Sequence, residues 1–189
     1  MVEFNDALRA WVARSYPDEA ASFVPGEGNV RARVALVGEA PGAQEALQGR
    51  PFVGKAGRNL DMFLALAGLE RDDMYVTNAV KFRPTRLSKS GNRVNRPPTR
   101  AEIEAFRPWL MEELQIVSPE WVVTMGNVPL QAVLGRGPTV GGVHGTAMEW
   151  AHGRLYPIYH PASVIYDPGL KEIYKEDLIR FKQIISCFS

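Results

Sequence analysis

A short apolar segment followed by a glycine-containing loop limits most strongly how this chain can fold. Residues 33–37 (RVALV) show no alternation of polar and apolar side chains, which indicates a strand buried on both faces of a sheet. Residues 38–42 (GEAPG) then end the strand, because glycine and proline favour turns. In open parallel sheets, ligands bind beyond the carboxyl ends of the strands, so the loop over 38–57 is a predicted ligand site.

Part of this loop is similar to a phosphate-binding P-loop. Residues 49–55 (GRPFVGK) match the pattern G-x4-G-K. The next residue is Ala56, so the hydroxyl group that holds magnesium in such loops is missing. Pro51 also removes a backbone amide that a P-loop needs for its phosphates. The sequence therefore argues against a nucleoside triphosphatase.

Strand and helix patterns alternate along the rest of the chain. Strands are predicted over 33–37, 74–80, 121–125 and 155–159, and helices over 4–14, 57–68, 99–117, 127–135 and 171–186. The helix over 99–117 starts with a capping-box pattern, Thr99 to Glu102, and contains Pro108, which predicts a kink or a restart. This alternation predicts a three-layer α/β/α sandwich with a central four-stranded parallel sheet, in a single domain spanning 1–189.

Polar residues stand at the ends of three of these strands. They are Glu39 after the first strand, Asn78 near the end of the second, and His160 after the fourth. Because parallel strands place their carboxyl ends at one edge of a sheet, we expect these residues to converge on one site.

Composition excludes several classes of protein. The single cysteine, Cys187, rules out an internal disulfide and any site with several cysteine ligands. No apolar run approaches the length of a membrane span, and polar residues interrupt the first segment where a signal peptide would need an apolar stretch. A cytoplasmic protein without a metal and without a membrane partner is expected.

Positive charge is concentrated in one segment. Residues 74–101 contain seven basic residues and no acid, whereas the rest of the chain has 15 basic and 21 acidic residues. A basic segment on an acidic body suits a polyanion such as nucleic acid, although a solvated loop is an equally good interpretation. The composition of 81–98 predicts no regular structure. The candidates for phosphate contacts are Lys81, Arg83, Arg86, Lys89, Arg93 and Arg96.

Four motifs, in order, resemble the uracil-DNA glycosylase superfamily, and within it the thermophile type called family 4. The first covers 38–57, where the family pattern is G-E-x-P-G, a nearby glutamate, and G-x-P-F-V-G-x-A-G. The others are 75–84 (YVTNAVKFRP), the region of 95–97 (NRP) and 160–163 (HPAS). The resemblance extends from about 33 to 168. It implies an enzyme that flips uracil out of DNA and hydrolyses its glycosidic bond.

The chemistry of that reaction suggests roles for three residues. Phe52 is a candidate platform for stacking the base, although a buried core phenylalanine is the simpler interpretation. Asn78 can donate and accept hydrogen bonds, which matches N3–H and O4 of uracil, or it can be a turn residue at a strand end. His160 could donate a hydrogen bond to O2 as negative charge develops on the departing base.

The resemblance implies further site residues. Glu45 matches the family glutamate implicated in catalysis, and Glu39 competes with it for the role of positioning water or stabilising the sugar cation. The remaining candidates for substrate binding are Gly38, Ala40, Asn95 and Ser163. Ala40 stands where other uracil glycosylases have an aspartate, so positioning of water by Glu45 is favoured over a simple general base.

Two departures from the family affect cofactor and mechanism. Family 4 enzymes normally hold an iron–sulfur cluster on four cysteines, but Phe82 and Phe106 stand at two of those positions and the N-terminal pair is absent. We therefore expect no cluster, and we expect both phenylalanines to be buried close together near the N-terminal segment. Residues 92–95 (NRVN) contain no histidine where a related branch traps DNA covalently, so covalent trapping is not expected.

The function predicted from the sequence is a monomeric, monofunctional uracil-DNA glycosylase that leaves an abasic site in single- or double-stranded DNA. Two alternatives stay open. One is a glycosylase for another deaminated base, such as hypoxanthine or xanthine. The other is a catalytically silent protein that binds uracil or single-stranded DNA.

Overall fold

A computed structural model describes residues 1–135 and 137–187, and a six-stranded sheet forms its centre. The strands of this sheet are β1 (Glu27–Gly28), β2 (Val34–Gly38), β3 (Tyr75–Asn78), β6 (Trp121–Met125), β7 (Met148–Trp150) and β8 (Gly153–Ile158). Their order is β1-β3-β2-β6-β8-β7. The four inner strands are parallel, and the short edge strands β1 and β7 pair antiparallel with their neighbours.

Helices cover both faces of this sheet. They are α1 (Val2–Ser15), α2 (Ala43–Gln48), α3 (Lys55–Leu66), α4 (Arg100–Val117), α5 (Asn127–Leu134), α6 (Val140–Val143), α7 (Ser163–Tyr166) and α8 (Leu170–Ser186). One apolar cluster joins the sheet to α3 and α8, and another joins it to α4 and α5. All five residues of β2 are buried, as a strand covered on both sides requires. The predicted three-layer α/β/α sandwich is confirmed, but the central sheet has two antiparallel edge strands in addition to the four predicted parallel strands.

The capping box at the start of α4 is also confirmed. The Thr99 side chain accepts a hydrogen bond from the Glu102 amide, and the Glu102 carboxylate accepts one from the Thr99 amide. Of the kink or restart predicted at Pro108, the restart is wrong, because α4 is one continuous helix. Pro108 and Glu104 are both exposed, so the Glu104 carbonyl that loses its helical partner can bind water instead.

The basic segment contains more regular structure than its composition indicated. Strands β4 (Thr85–Leu87) and β5 (Arg93–Asn95) form an antiparallel hairpin that is separate from the central sheet. Ser88 and Asn92 close the turn through a backbone hydrogen bond of 2.9 Å, and Gly91 supplies the positive φ that the turn needs. The expectation of no regular structure over 81–98 is therefore wrong.

A third apolar cluster attaches α1 to the body of the protein. Phe82 and Phe106 are fully buried in it, with ring centroids 5.5 Å apart, and Trp11 and Tyr16 from the N-terminal segment contact these rings. The predicted burial and proximity of the two phenylalanines is confirmed.

Within 1–135 and 137–187, no helix has both the length and the apolar character that crossing a membrane requires.

Candidate active site

A pocket of about 320 Å³ opens at the carboxyl edge of the sheet, beyond the ends of β2, β3 and β8. Its volume is in the range of pockets that hold small molecules. The residues that line it are Ala40, Gly42, Ala43, Gln44, Glu45, Phe52, Gly54, Lys55, Ala56, Asn78, Asn95, His160, Ala162, Ile165 and Tyr166. The parallel sheet thus brings residues from distant parts of the sequence to one site.

Phe52 lies on the pocket wall in a fixed and unusual backbone conformation. Its φ is 55°, a left-handed value that non-glycine residues adopt uncommonly. The Arg71 guanidinium donates hydrogen bonds to the carbonyls of Pro51 and Phe52, at 2.7 and 2.9 Å, and so fixes the turn. A Cβ atom at Gly38 would stand 2.3 Å from the Phe52 ring. Gly38 does not line the pocket, but its lack of a side chain permits this position of the ring.

Asn78, the last residue of β3, presents its amide to the pocket. It is buried, and its Oδ1 atom also comes within 2.5 Å of where a Gly38 Cβ would be. In the part of the chain that the structure describes, its side-chain amide makes no hydrogen bond. Neither polar atom of this amide is sealed off from the pocket, so a ligand or water in the pocket can bond to it. Asn78 is therefore suited to bind a polar ligand.

Glu45, in the first turn of α2, reaches the start of α3 at the pocket. Its Oε1 atom accepts a hydrogen bond of 2.7 Å from the Gly54 amide at the start of α3, and its Oε2 atom lies close to Gly42. The side chain is buried, with 9% of the residue exposed. A carboxylate with one oxygen fixed in this way can use the other to orient water or to face a cation.

His160 enters the pocket from the segment after β8, and its protonation state follows from its contacts. Burial lowers the pKa of His160 to about 4, although the charge of Glu45 acts in the opposite direction. Its Nδ1 atom accepts a hydrogen bond of 3.1 Å from the Ala162 amide, so Nδ1 carries no proton. The ring is therefore neutral at pH 7 with its proton on Nε2, which leaves Nε2–H as a donor.

Three of the predicted site residues do not line the pocket, namely Gly38, as described above, Glu39 and Ser163. Burial raises the pKa of Glu39, but the side chain of this residue is not part of the pocket wall. Its backbone carbonyl accepts a hydrogen bond from the Val80 amide. Ser163 starts α7, and its amide bonds to the His160 carbonyl. The structure therefore places Glu45, rather than Glu39, next to His160.

The assignment of Lys81 to DNA contacts is wrong. Lys81 is fully buried, and its ammonium group pairs with the Glu113 carboxylate at 2.5 Å and also contacts the Thr77 hydroxyl. The hydroxyl groups of Tyr75 and Thr77 also donate hydrogen bonds to Glu113. A cation enclosed in this way cannot reach a phosphate of DNA.

The other basic residues predicted to contact DNA lie in and beside the hairpin, and they differ in exposure and in their hydrogen bonds to other side chains. Arg86, Lys89 and Arg93 are exposed, and Arg83 is half-buried with its guanidinium donating to Asn95. Arg96 is engaged by two hydrogen bonds to Glu102, at 2.6 and 2.7 Å. Arg96 is therefore an anchor for the hairpin more than a free cation.

Nine of the fifteen lining residues were not predicted as site residues, and three of them carry large side chains, namely Lys55, Ile165 and Tyr166. Lys55 follows the helix-starting Gly54 and was considered only within the rejected P-loop pattern. Ile165 and Tyr166 lie in α7, after the histidine motif, and Tyr166 is 86% exposed at the pocket rim. A large exposed aromatic residue shortly after a motif is a signal that could have identified Tyr166.

The fold and pocket define an open α/β protein that holds its ligand beyond the carboxyl ends of parallel strands. Residues 25–181 match the family described as the Uracil DNA glycosylase superfamily, and the chain belongs to that family. It is 39% identical to a type-4 uracil-DNA glycosylase from Archaeoglobus fulgidus over 171 residues, which cover 86% of this chain and 80% of that protein. The identification made from the four motifs is confirmed.

Other comparisons agree with this assignment. The chain is 36% identical to a type-5 uracil-DNA glycosylase from Pyrobaculum aerophilum over 163 residues, covering 77% of this chain and 68% of that protein. It is also similar to the crystal structure of Pedobacter heparinus SMUG2, with a TM-score of 0.59 and 12% identity over 95% of this chain and 80% of that one. The structural likeness shows a shared fold.

The residues of this chain do not fit the iron–sulfur cluster that resemblance to family 4 would imply. A four-cysteine cluster needs four thiolates, and the sequence has one cysteine, the exposed Cys187. Two of the expected ligand positions hold Phe82 and Phe106, whose rings fill the space between α1 and α4. That junction is held by apolar packing.

Proposed function

We propose that this protein hydrolyses the N-glycosidic bond of uracil in DNA and leaves an abasic site. The observation that carries the proposal is the pocket, in which Glu45, Phe52, Asn78 and His160 surround a space for one small ligand. The similarity to proteins named type-4 uracil-DNA glycosylases supports the same conclusion. The relevant substrate is a uracil nucleotide flipped out of the DNA.

Recognition of the base requires a stacking surface and a polar edge. Phe52 offers its ring to the base, and such stacking contributes about 1–3 kcal/mol. Asn78 lies where it can donate to O4 and accept from N3–H of uracil. Because the Asn78 amide has no other partner among the described residues, the base can satisfy it. Gly38 serves this arrangement indirectly, by giving room to both side chains.

Bond cleavage leaves a cationic sugar and an anionic base. His160 is suited to stabilise the anion, because its neutral ring keeps a proton on Nε2 for donation to O2. Glu45 is suited to the other half of the reaction, where its fixed carboxylate faces the cationic sugar or orients water. Water then adds to the anomeric carbon, and the proton that it loses passes to the uracil anion, so that the products are the abasic site and neutral uracil.

DNA is the proposed partner, and the exposed cations of the hairpin face it. Arg86, Lys89 and Arg93 can bind phosphates without reading the base sequence. We further propose that the chain acts as a monomer in the cytoplasm, as a single domain, and without a cofactor, since the pocket already contains a donor for the anionic base, His160, and a carboxylate for the cationic sugar, Glu45.

The experiment that tests this function is a cleavage assay on labelled oligonucleotides containing uracil, hypoxanthine or xanthine. The expected result is strand cleavage at uracil after alkaline treatment. Cleavage only at hypoxanthine or xanthine would support the second kind of glycosylase. Binding of uracil-containing DNA without any cleavage would support a silent binding protein.

We expect His160→Ala to lower the rate of uracil excision by about 10²–10³-fold, because it removes a donor to the developing anion. Single-turnover kinetics at pH 7 would measure this loss. His152→Ala, at an exposed histidine, is the matched control and should keep the wild-type rate.

The pH dependence of the wild-type protein gives a separate prediction. The neutral ring of His160 is the active form and its pKa is about 4, so protonation of His160 should lower activity only as the pH falls toward 4. Activity that is highest near pH 4 would contradict the neutral donor.

We expect Asn78→Asp to lower uracil excision about 10- to 100-fold and to raise the excision of cytosine relative to uracil. The substitution replaces a donor with an acceptor, and a good pair of base contacts discriminates by about 1–3 kcal/mol. Excision from oligonucleotides that differ only in the target base measures both effects. Asn29→Asp, in an exposed position away from the pocket, is the control. An unchanged uracil rate in Asn78→Asp would remove this residue from base reading.

A further inference from the structure

One arginine outside the pocket joins the pocket wall to the helix behind it. Arg71 lies in the short 3-10 helix Arg71–Asp73, between α3 and β3, and it does not line the pocket. Its Nη1 atom donates to the Phe52 carbonyl and to Oδ1 of Asp61 in α3, both at 2.9 Å. Its Nη2 atom donates to the Pro51 carbonyl at 2.7 Å. Only 21% of the Arg71 side chain is exposed, so the protein rather than solvent fixes its position.

Acidic side chains orient this guanidinium from two sides. Asp61 is bound to Nη1, and Oε1 of Glu27 in β1 lies 3.7 Å from Nη2. Glu27 is itself bound by Arg50, the residue before Pro51, at 2.8 and 3.1 Å. A guanidinium is a planar fork of donors, and its hydrogen bonds are strengthened by its charge. Arg71 can therefore hold two neighbouring carbonyls at once, which a single ammonium group does less well.

The segment that Arg71 holds has an unfavourable backbone conformation. Phe52 has a φ of 55°, and such values persist in non-glycine residues only where the surroundings impose them. The Phe52 ring packs closely on Gly38, and a Cβ atom at Gly57 would stand 1.8 Å from the Phe52 carbonyl oxygen. Two glycines thus give Phe52 its space, and Arg71 supplies the hydrogen bonds that keep it there. Loss of these bonds would let the backbone relax and move the ring.

We propose that Arg71 is a positioning residue for the uracil site, which acts through Phe52 by holding its ring where the flipped base stacks. The proposal rests on the function given above and assigns part of base recognition to a side chain outside the pocket. Stacking requires the ring to lie at contact distance from the base and parallel to it. A misplacement of about 1 Å, caused by a change far from the reacting atoms, can lower a rate by about 10²-fold.

The first test is a double-mutant cycle. Arg71→Ala should lower the single-turnover rate of uracil excision about tenfold, and Arg71→Lys should restore part of this loss. Phe52→Leu keeps an apolar side chain but removes the aromatic face. In the Phe52→Leu background, Arg71→Ala should cost less than about twofold more, because its effect passes through the missing ring. A full tenfold loss in that background would overturn the proposal.

The matched control removes an arginine that also pairs with a carboxylate but lies at the opposite edge of the sheet. Arg33, just before β2, is bound to Glu120 at 2.7 and 2.9 Å. Arg33→Ala should keep the wild-type rate of excision. A loss in Arg33→Ala equal to that in Arg71→Ala would overturn the proposal, since the effect would then not depend on contact with Phe52.

A second measurement does not depend on cleavage and separates the position of the ring from the overall stability of the protein. Two single-stranded oligonucleotides are compared by fluorescence anisotropy, one with a 2′-fluorinated deoxyuridine that resists excision and one with a tetrahydrofuran abasic site. Wild-type protein should bind the uracil analogue more tightly. Arg71→Ala should lose most of this preference and keep its affinity for the abasic DNA.

Two results of this binding experiment decide between the possible roles of Arg71. An equal loss of affinity for both oligonucleotides in Arg71→Ala would show a general structural role and overturn the proposal. If wild-type protein excises no uracil but its preference for the uracil analogue disappears in Arg71→Ala, the role of Arg71 is supported and the glycosylase function alone is overturned.

Discussion

Lys81→Met should lower the free energy of unfolding by about 3–5 kcal/mol, because it leaves the Glu113 carboxylate buried without its cation. Both side chains of this pair are fully buried. Burial lowers the pKa of Lys81, because desolvation disfavours the ammonium form, and the nearby charge of Glu113 opposes that shift. Urea denaturation monitored by circular dichroism would measure the change.

Two further variants separate the buried charge from other effects of the substitution. Lys81→Met combined with Glu113→Gln removes both charges but keeps an acceptor for the Tyr75 hydroxyl, and it should be more stable than Lys81→Met alone. Lys89→Met, on the exposed turn of the hairpin, should change stability by less than about 0.5 kcal/mol. A cost below about 1 kcal/mol for Lys81→Met would contradict the buried ion pair.

The position of the site could be predicted from the sequence because it depends on simple rules. A strand without alternation must be covered on both faces, and helices between strands make the sheet parallel. The ends of 33–37, 74–80 and 155–159 then had to meet at one edge. Asn78 and His160 are separated by 82 positions in the sequence, and both line the pocket.

The environment of individual charged residues could not be predicted in this way. Lys81 belongs by sequence to a run of basic residues, and its partner Glu113 lies 32 positions later on α4. Only the docking of α4 against β3 places the two together. Glu39 and Glu45 posed the same difficulty, since both lie near the end of β2 and only the helical start at Gly42 turns Glu45 toward His160.

The sequence patterns did not predict the edge strands of the sheet, and the reason there is a different one. β1 has two residues and β7 has three, which is too short for a period-2 pattern to be visible. The hairpin of β4 and β5 was hidden by a composition rich in serine, asparagine and proline. Its stability comes from anchors outside it, such as Arg96 bound to Glu102, which local sequence does not reveal.

Phe82→Ala should destabilise the protein by about 3–5 kcal/mol, the usual cost of truncating a fully buried phenylalanine. The Phe82 ring contacts Phe106 and Tyr16, with centroid distances of 5.5 and 4.9 Å, so the substitution opens a cavity between α4 and the N-terminal segment. Urea denaturation would give the change in stability. Limited proteolysis should also detect earlier release of α1 in the variant.

A double-mutant cycle tests whether the two rings act as one unit. Phe82→Ala combined with Phe106→Ala should cost less than the sum of the single changes, by about 0.5–1.5 kcal/mol, because adjacent aromatic rings stabilise each other. Leu66→Ala, in an exposed position, should change little. We also expect purified protein to be colourless and free of iron, since apolar packing of these rings occupies the place of a metal cross-link. Additive costs would show that the rings are buried independently, and a brown protein with iron absorbance would contradict this account of the junction.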